Sequence, residues 1–388
     1  MPAPRAILAA ATALALTTGV PAAVSPGPIP ALAATTDQGG AEWPEAIASV
    51  PDDAATVEDS PPGTSLMAYS VGTEEGPRPG ATPLVLAAHE DVYRRVAEAQ
   101  ERSVDSDLGA PAPMLLSPDG RTLAVGSSRG NGTVALIDLA TGEQQVASLS
   151  YVTAGTPTAF DLDNGWLWVR ARATSDDAAG TTTYDDWEWH RVDLGTARAT
   201  RTRELGRAMD LATVPGGRTV LVKDSGTRAR LFDTGTLEPV GDPIPVSGDL
   251  EPGGVSPDGA TVATGTRGGV RLQPLDGGEP TEVEVDGDIG VHGWIDEETL
   301  LVSETLDDGT WQLSQLPLDG DGEVVSQLPP DDGDTLQTVS VATGLVDEVR
   351  TRAPGEPDHG AGGPLPWVLG GAALLAAAGG VLLVRRRR

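Results

Sequence analysis

One serine lies in a sequence pattern that could do nucleophilic chemistry. Residues 126–130 have the spacing G-x-S-x-G of a nucleophile elbow, in which a strand turns sharply into a helix and exposes the serine for acyl transfer. Here a predicted strand instead runs into Asn131-Gly132, which is typical of a hairpin turn and has no helical pattern after it. The sequence therefore predicts no catalytic residue at this position.

Metal chemistry needs clustered ligands, and the sequence offers few. The four histidines are isolated from one another and from other ligands: His89, His190, His292 and His359. Two acidic segments, 319–323 and 331–334, contain the carboxylates that calcium prefers, but neither has the spacing of a helix-loop-helix calcium site. Solvated turns are the favoured interpretation and calcium the alternative, so we predict no metal ion and no cofactor.

Aromatic residues form the most specific cluster of the sequence. Two tryptophans alternate along one predicted strand and two along its predicted partner, with residues 170–186 inserted between the pairs. One interpretation is an aromatic surface for a glycan, a peptide or a partner protein; the other is packing of the rings between neighbouring sheets. The candidate ligand-binding residues of the first interpretation are Trp166, Trp168, Tyr184, Trp187 and Trp189.

A recurring pair of strands must position these residues. A Ser-Pro-Asp-Gly turn precedes an apolar strand, and a second strand then ends in Asp and a Gly-containing turn; the clearest copy covers residues 116–125 and 134–143. Proline fixes φ at the first turn position and glycine accepts the positive φ that follows. Weaker copies of the pattern begin at Asp163, Pro215, Ser256 and Asp296.

The spacing of these copies indicates a repeat fold. The predicted first strands are separated by 39, 44, 53, 42 and 38 residues, and they centre on Leu84, Leu123, Leu167, Val220, Val262 and Leu300. A period of about 40–45 residues is typical of one four-stranded blade per repeat. The absence of long amphipathic patterns, together with many Gly, Pro and Asp residues, favours an all-β domain.

The Ser-Pro-Asp-Gly turns and the segment Ile137-Asp-Leu-Ala-Thr-Gly-Glu143 resemble those of bacterial WD-repeat-like propellers of the TolB and YVTN types. The resemblance covers residues 45–350 and implies an all-β propeller. Closed propellers often complete one blade from both ends of the chain, which removes open sheet edges. Apolar strands at 65–70, 336–341 and 345–349 could form such a blade, so we predict seven blades, with six as the alternative.

The two ends of the chain predict export and anchoring. Residues 1–34 have the charged, apolar and small-residue parts of a signal peptide, and 35–44 read as a linker. Residues 351–363 read as a flexible tether. Residues 364–384 are apolar and uncharged, long enough for one transmembrane helix, with Trp367 at the outer interface. A cytoplasmic tail closes the chain with Arg385, Arg386, Arg387 and Arg388.

The negative net charge of the chain argues against nucleic acids as partners. The 388-residue chain has 57 acidic and 26 basic residues, and the part between the terminal segments has a net charge of −36. Such a field repels nucleic acids and would attract cations or basic partners. The chain has no cysteine, and its single lysine, Lys223, beside many arginines is typical of a high-GC genome such as an actinobacterium's.

Together these features predict a single-pass membrane protein at the cell surface, whose acidic propeller binds an unidentified extracytoplasmic protein or glycan without doing chemistry. One alternative is a lactonase- or lyase-like propeller enzyme with its active site on the axis. Another is a sensor that works through a membrane partner, because four arginines leave no room for a cytoplasmic domain.

Overall fold

The computed structural model describes residues 41–360, except for 49, 52, 74–79, 104–110, 129–130, 151, 177–181, 207, 225, 307, 329–333 and 347–349. The predicted signal peptide, transmembrane segment, Trp367 and the four terminal arginines lie outside the described residues. Among the described residues, none of the helices has the length and apolar character that a bilayer-spanning helix needs.

Antiparallel sheets make up most of the regular secondary structure that is described. The first sheet has the order β22-β2-β3-β4, from Asp334–Val341, Ser65–Thr73, Gly80–Ala87 and Tyr93–Arg95. The second contains β5 (Met114–Leu116), β6 (Thr122–Val125), β7 (Thr133–Asp138) and β8 (Gln144–Ser148). The third contains β9 (Val152–Asp161), β10 (Trp166–Asp176), β11 (Thr182–Asp193) and β12 (Ala199–Thr202).

The remaining sheets follow the same meander. The fourth contains β13 (Asp210–Thr213), β14 (Thr219–Lys223), β15 (Arg228–Asp233) and β16 (Pro239–Pro245). A five-stranded sheet contains β17 (Thr261–Pro274), β18 (Thr281–Trp294), β19 (Thr299–Thr305), β20 (Trp311–Pro317) and β21 (Glu323–Leu328). Helical segments are short: α1 (Ala97–Glu101) and the 3-10 turns Arg203–Leu205 and Thr343–Leu345.

Apolar clusters between successive sheets close the sheets into a ring. One cluster joins the first sheet to the second, for example through Val85 and Leu123. Further clusters continue in chain order, and the last joins the five-stranded sheet back to the first sheet through Leu313 and Leu86. Because each sheet buries both faces against its neighbours, the arrangement is that of a β-propeller. The predicted all-β propeller fold is confirmed.

The first sheet joins the two ends of the propeller. Strand β22, from the end of the chain, pairs with β2, so the sheet edge that β2 would otherwise expose is covered. The strand centred on Leu84 is β3 and belongs to this same sheet. The predicted first repeat unit and the predicted closing blade are therefore one sheet, and the count of seven blades is not confirmed.

Strand β17 folds back on itself. The amide of Leu275 donates to the carbonyl of Ala260 at 2.8 Å, although a straight strand of 14 residues would separate its ends by about 46 Å. The reversal lies at Gly268 and Gly269, whose φ values are 95° and 151°. Strand β18 then continues into the following repeat unit, so the five-stranded sheet contains strands of two units.

Segments predicted to be linkers pack on the propeller. Strand β1 (Glu42–Pro44) pairs in parallel with β23 (Arg350–Arg352). The guanidinium of Arg352 forms an ion pair with the carboxylate of Asp91 at 2.7 Å, and Arg94 forms one with Asp358 at 3.2 Å. The chain is therefore held against the first sheet as far as Asp358.

Candidate functional site

Two cavities adjoin along the propeller axis. They share the lining residues Pro118, Phe160, Thr213, Pro252 and Thr343, which lie in strands, turns and connections of different repeat units. Their volumes are about 850 Å³ and 430 Å³, and we call them the wide cavity and the narrow cavity. Both volumes fall within the range of about 300–1,000 Å³ that is typical of ligand sites.

The wide cavity has an apolar wall and an acidic rim. Its wall includes Phe160, Val214, Val255, Trp294 and Ile295, together with four prolines. Its rim carries exposed carboxylates at Asp163, Asp296, Glu297 and Glu298. Desolvation raises the pKa of the buried Asp161 carboxyl, whose oxygens accept hydrogen bonds from Asn164.

The Ser-Pro-Asp-Gly turns of the repeat form part of the wide cavity. In the clearest copy, the hydroxyl of Ser117 donates to the carboxylate of Asp119 at 2.6 Å and accepts the amide of Thr122 at 2.9 Å. The copy at Ser256 repeats both contacts with Asp258 and Thr261. The turns are thus closed by their own side chains, and Pro118 and Pro257 are left facing the cavity.

The narrow cavity contains charges of both signs. Arg170 lines it, with the centre of its guanidinium 4.1 Å from the ring centroid of Trp187. Three carboxylates also line it, at Asp210, Asp249 and Glu251. Burial raises the pKa of Glu251 to about 7, and the charges of the other two carboxylates add to that shift.

One lysine partly balances these carboxylates. The ammonium of Lys223 lies 3.6 Å from a carboxylate oxygen of Asp249 and 3.9 Å from one of Asp210, and it donates to the carbonyl of Gly248. Even so, the pKa of Asp210 is raised, first by burial and then by Asp249. The lysine does not fully offset the desolvation of Asp210.

His292 lines the narrow cavity as a neutral group. Its Nε2 lies 2.8 Å from the hydroxyl of Ser303, and burial lowers its pKa to about 4. Among the residues that the structure describes, no group of three or more His, Asp and Glu side chains has the geometry to hold a metal ion.

Most of the predicted aromatic residues lie on one buried face of the third sheet. Trp168 and Trp189 are fully buried against the fourth sheet, and the indole nitrogen of Trp189 donates to the carbonyl of Ala208 at 3.0 Å. Trp166 and Trp187 are half-buried at opposite ends of this face. The backbone of Tyr184 pairs with Thr174, and its side chain lies outside the described part of the chain.

The predicted insertion at 170–186 continues the hairpin. Strands β10 and β11 stay paired from Trp166↔Asp193 to Asp176↔Thr182, with one bulge after Arg172. Of the four candidate tryptophans, Trp187 lines the narrow cavity, and none lines the wide one. The structure thus divides the four tryptophans into two core residues, Trp168 and Trp189, and two half-buried residues at the ends of the face, Trp166 and Trp187.

The comparisons with known proteins concern the fold. No protein-family model matches the chain, and no curated protein matches it. TolB from Acinetobacter baumannii is 18% identical, with a TM-score of 0.49 and coverage of 76% of this chain and 68% of TolB. TolB-like propellers are thus among its structural neighbours.

Two further solved structures show weaker similarity. A candidate TolB from Agrobacterium tumefaciens is 10% identical, with a TM-score of 0.41 and coverage of 71% of this chain and 98% of that one. Hydrazine synthase from Kuenenia stuttgartiensis is 20% identical, with a TM-score of 0.39 and coverage of 60% and 70%. At these identities the likeness concerns the propeller fold alone.

Sequence reasoning missed the polar residues on the propeller axis. Asp210 begins the strand β13, whose next two residues are buried, and Glu251 precedes the turn that leads to the following repeat unit. The one available signal was a charged residue at the start of an apolar first strand, as in Met209-Asp210-Leu211. Alignment of the repeats did not indicate that these carboxylates come together.

Proposed function

We propose that this protein is a non-enzymatic binding module, held at the outer face of a cell membrane by residues 364–384, whose wide axial cavity receives a segment of a partner protein. The observation that carries the proposal is the composition of that cavity, an apolar wall under an acidic rim. Such a site fits a short segment with an apolar side chain and flanking lysine or arginine.

The charge of the chain supports a basic partner. The region outside the two predicted terminal segments has a net charge of −36, which steers cationic partners toward it and repels anionic ones. The rim carboxylates at Asp296, Glu297 and Glu298 are exposed and consecutive, so they can contact cationic side chains without the cost of burying unpaired charge.

We also propose that the propeller has six blades. The two halves of β17, before and after its reversal, are two neighbouring strands of one blade. The first half of β18 is the last strand of that blade, and the second half of β18 is the first strand of the next blade. The apolar clusters between sheets support this division, since one of them packs Ala263 and Val270 against Val291 and Leu300.

Crosslinking in the native membrane tests the partner proposal. The triple variant Asp296→Asn, Glu297→Gln, Glu298→Gln removes the rim charge. The matched control Glu279→Gln, Glu282→Gln, Glu284→Gln removes the same charge from exposed positions at and beside the start of β18. We expect one recurrent partner, identified by mass spectrometry, to be captured by the wild type and the control and lost by the rim variant. Equal capture by all three would contradict the proposal.

Ending the chain at Gly363 tests the anchor. The full chain should sediment with the membrane fraction, and the shortened chain should be released in a folded, soluble form. Sedimentation of the shortened chain with the membrane would contradict an anchor at residues 364–384.

The second candidate function is an enzyme with an axial site. The observation that favours it is the meeting of Asp210, Asp249, Glu251 and His292 at the narrow cavity. Absence of any recurrent crosslinked partner, together with turnover of a lactone or a uronic-acid polymer that Glu251→Gln abolishes, would replace the binding proposal with this one.

A further inference from the structure

The narrow cavity contains hydrogen-bond donors that the protein does not use. The Nε atom of Arg170 is buried and has no hydrogen-bond partner among the described residues, and its Nη2 reaches only the sulfur of Met209, at 3.6 Å. A buried donor without an acceptor costs about 1–3 kcal/mol, and more for a charged group. Burial lowers the pKa of Arg170 and the charge of Asp210 partly offsets that shift, but no hydrogen bond joins the two side chains among the described residues. The Nε atom of Arg170 therefore has no acceptor, and a carboxylate is the group that a guanidinium binds best.

The same cavity contains a carboxylate with no cationic partner among the described residues. Within the described part of the chain, the Glu251 carboxylate has no ion pair and no side-chain hydrogen bond, although Asp210 and Asp249 repel its charge. Lys223 lies within 4 Å of the other two carboxylates, and in the described structure it forms no ion pair with Glu251. A cationic group of a ligand would complete this side of the cavity.

Part of the remaining wall is apolar. Met114, Leu115, Pro157 and Met209 line the cavity between the charged groups. The guanidinium of Arg170 covers one face of the Trp187 ring. The volume of about 430 Å³ limits the occupant to a small molecule.

We propose that the narrow cavity binds a small zwitterion of the amino-acid class, whose carboxylate contacts Arg170 and whose ammonium group contacts Glu251, Asp249 and Asp210. This site adjoins the wide cavity proposed above as the protein-binding site but has different charged residues, and it needs no chemical step. The ligand's ammonium group supplies the cation that Glu251 lacks, and its carboxylate supplies the acceptor that Arg170 lacks. The ligand's side chain lies on the apolar wall.

Saturation-transfer NMR on the full chain in detergent, with an equimolar mixture of the twenty free amino acids, tests the proposal. The amino acid with the strongest signal is then titrated by calorimetry beside its decarboxylated amine and its deaminated acid. We expect the amino acid to bind, and loss of either charged group to weaken binding by about tenfold or more. Failure of all twenty to bind at millimolar concentration, or equal binding of the amine alone, would overturn the proposal.

Variants assign the binding to this cavity. Glu251→Gln and Arg170→Met should each weaken binding by about tenfold or more. The matched control is Arg191→Met, because Arg191 stacks on Trp166 at the same 4.1 Å but lines neither axial cavity. Circular dichroism checks that each variant is folded. Unchanged binding in both folded cavity variants would overturn the proposal, whereas partner capture by the wide cavity would be unaffected.

Discussion

The guanidinium of Arg170 lies 4.1 Å from the ring centroid of Trp187, and at the other end of the same hairpin Arg191 lies 4.1 Å from the ring of Trp166. All four side chains are on one face, because Trp168 pairs with Arg191 and Arg170 pairs with Trp189 across the strands. On this face each strand has two tryptophans followed by an arginine, and the antiparallel pairing places the two runs in opposite directions. The charges lie at the ends of this face, and Trp168 and Trp189 fill its centre.

Replacement of the two tryptophans of β11 should separate a core role from a surface role. Trp189→Ala should lower the free energy of unfolding by about 3–5 kcal/mol, since it leaves a large cavity and removes the partner of the Ala208 carbonyl. Trp187→Ala should cost less than half as much, because its ring is half-buried. Urea denaturation measures both; equal losses would place Trp187 in the core.

Stability should fall as the pH rises toward 7 through the titration of Glu251. Its pKa is raised from 4.5 to about 7, so between these values the folded state binds more protons than the unfolded state and stability decreases with pH. The loss is on the order of 3 kcal/mol once both states are ionised. Glu251→Gln should remove this dependence and raise Tm at pH 8. A pH profile that is unchanged in the variant would refute the assignment.

A methyl group at Gly120 should disturb the contact between the first two sheets. Gly120 has a φ of 68°, and a Cβ there would lie 2.2 Å from the carbonyl oxygen of Ser65. Gly165 has a φ of 69° with no atom near its Cβ position, so it controls for backbone strain alone. Gly120→Ala should destabilise by about 2 kcal/mol more than Gly165→Ala. Equal effects in thermal denaturation would show that the close approach is relieved at no cost.

The ion pair that holds β23, between Arg352 and Asp91, should contribute more to the free energy of unfolding than an exposed ion pair does. The side chains of Arg352 and Asp91 are only 14% and 7% exposed, so Arg352→Met leaves a buried carboxylate unpaired and should cost about 3–5 kcal/mol. The Glu282 carboxylate of the pair Arg271–Glu282 is 66% exposed, and Glu282→Gln should change stability by less than about 1 kcal/mol. Similar values in urea denaturation would show that β23 contributes little to the fold.

The sequence by itself determined the fold class. The Ser-Pro-Asp-Gly turns, the alternation of apolar residues and the period of about 40–45 residues are local features, and local chemistry decides where a strand begins and reverses. The hydrogen bonds at Ser117 and Ser256 agree with that reading. The blade count was not determined locally, because no spacing reveals that the strands at Ser65–Thr73 and Leu84 belong to one sheet.

Only the tertiary structure decided which residues form the site. Alternation placed Trp168 and Trp189 on the faces of paired strands, but burial depends on the neighbouring sheet that covers the face. Asp210 and Glu251 belong to successive repeat units, and they meet because closure of the ring directs the first strands of all units toward one axis. Their proximity, and the raised pKa that follows from it, is a property of the closed ring.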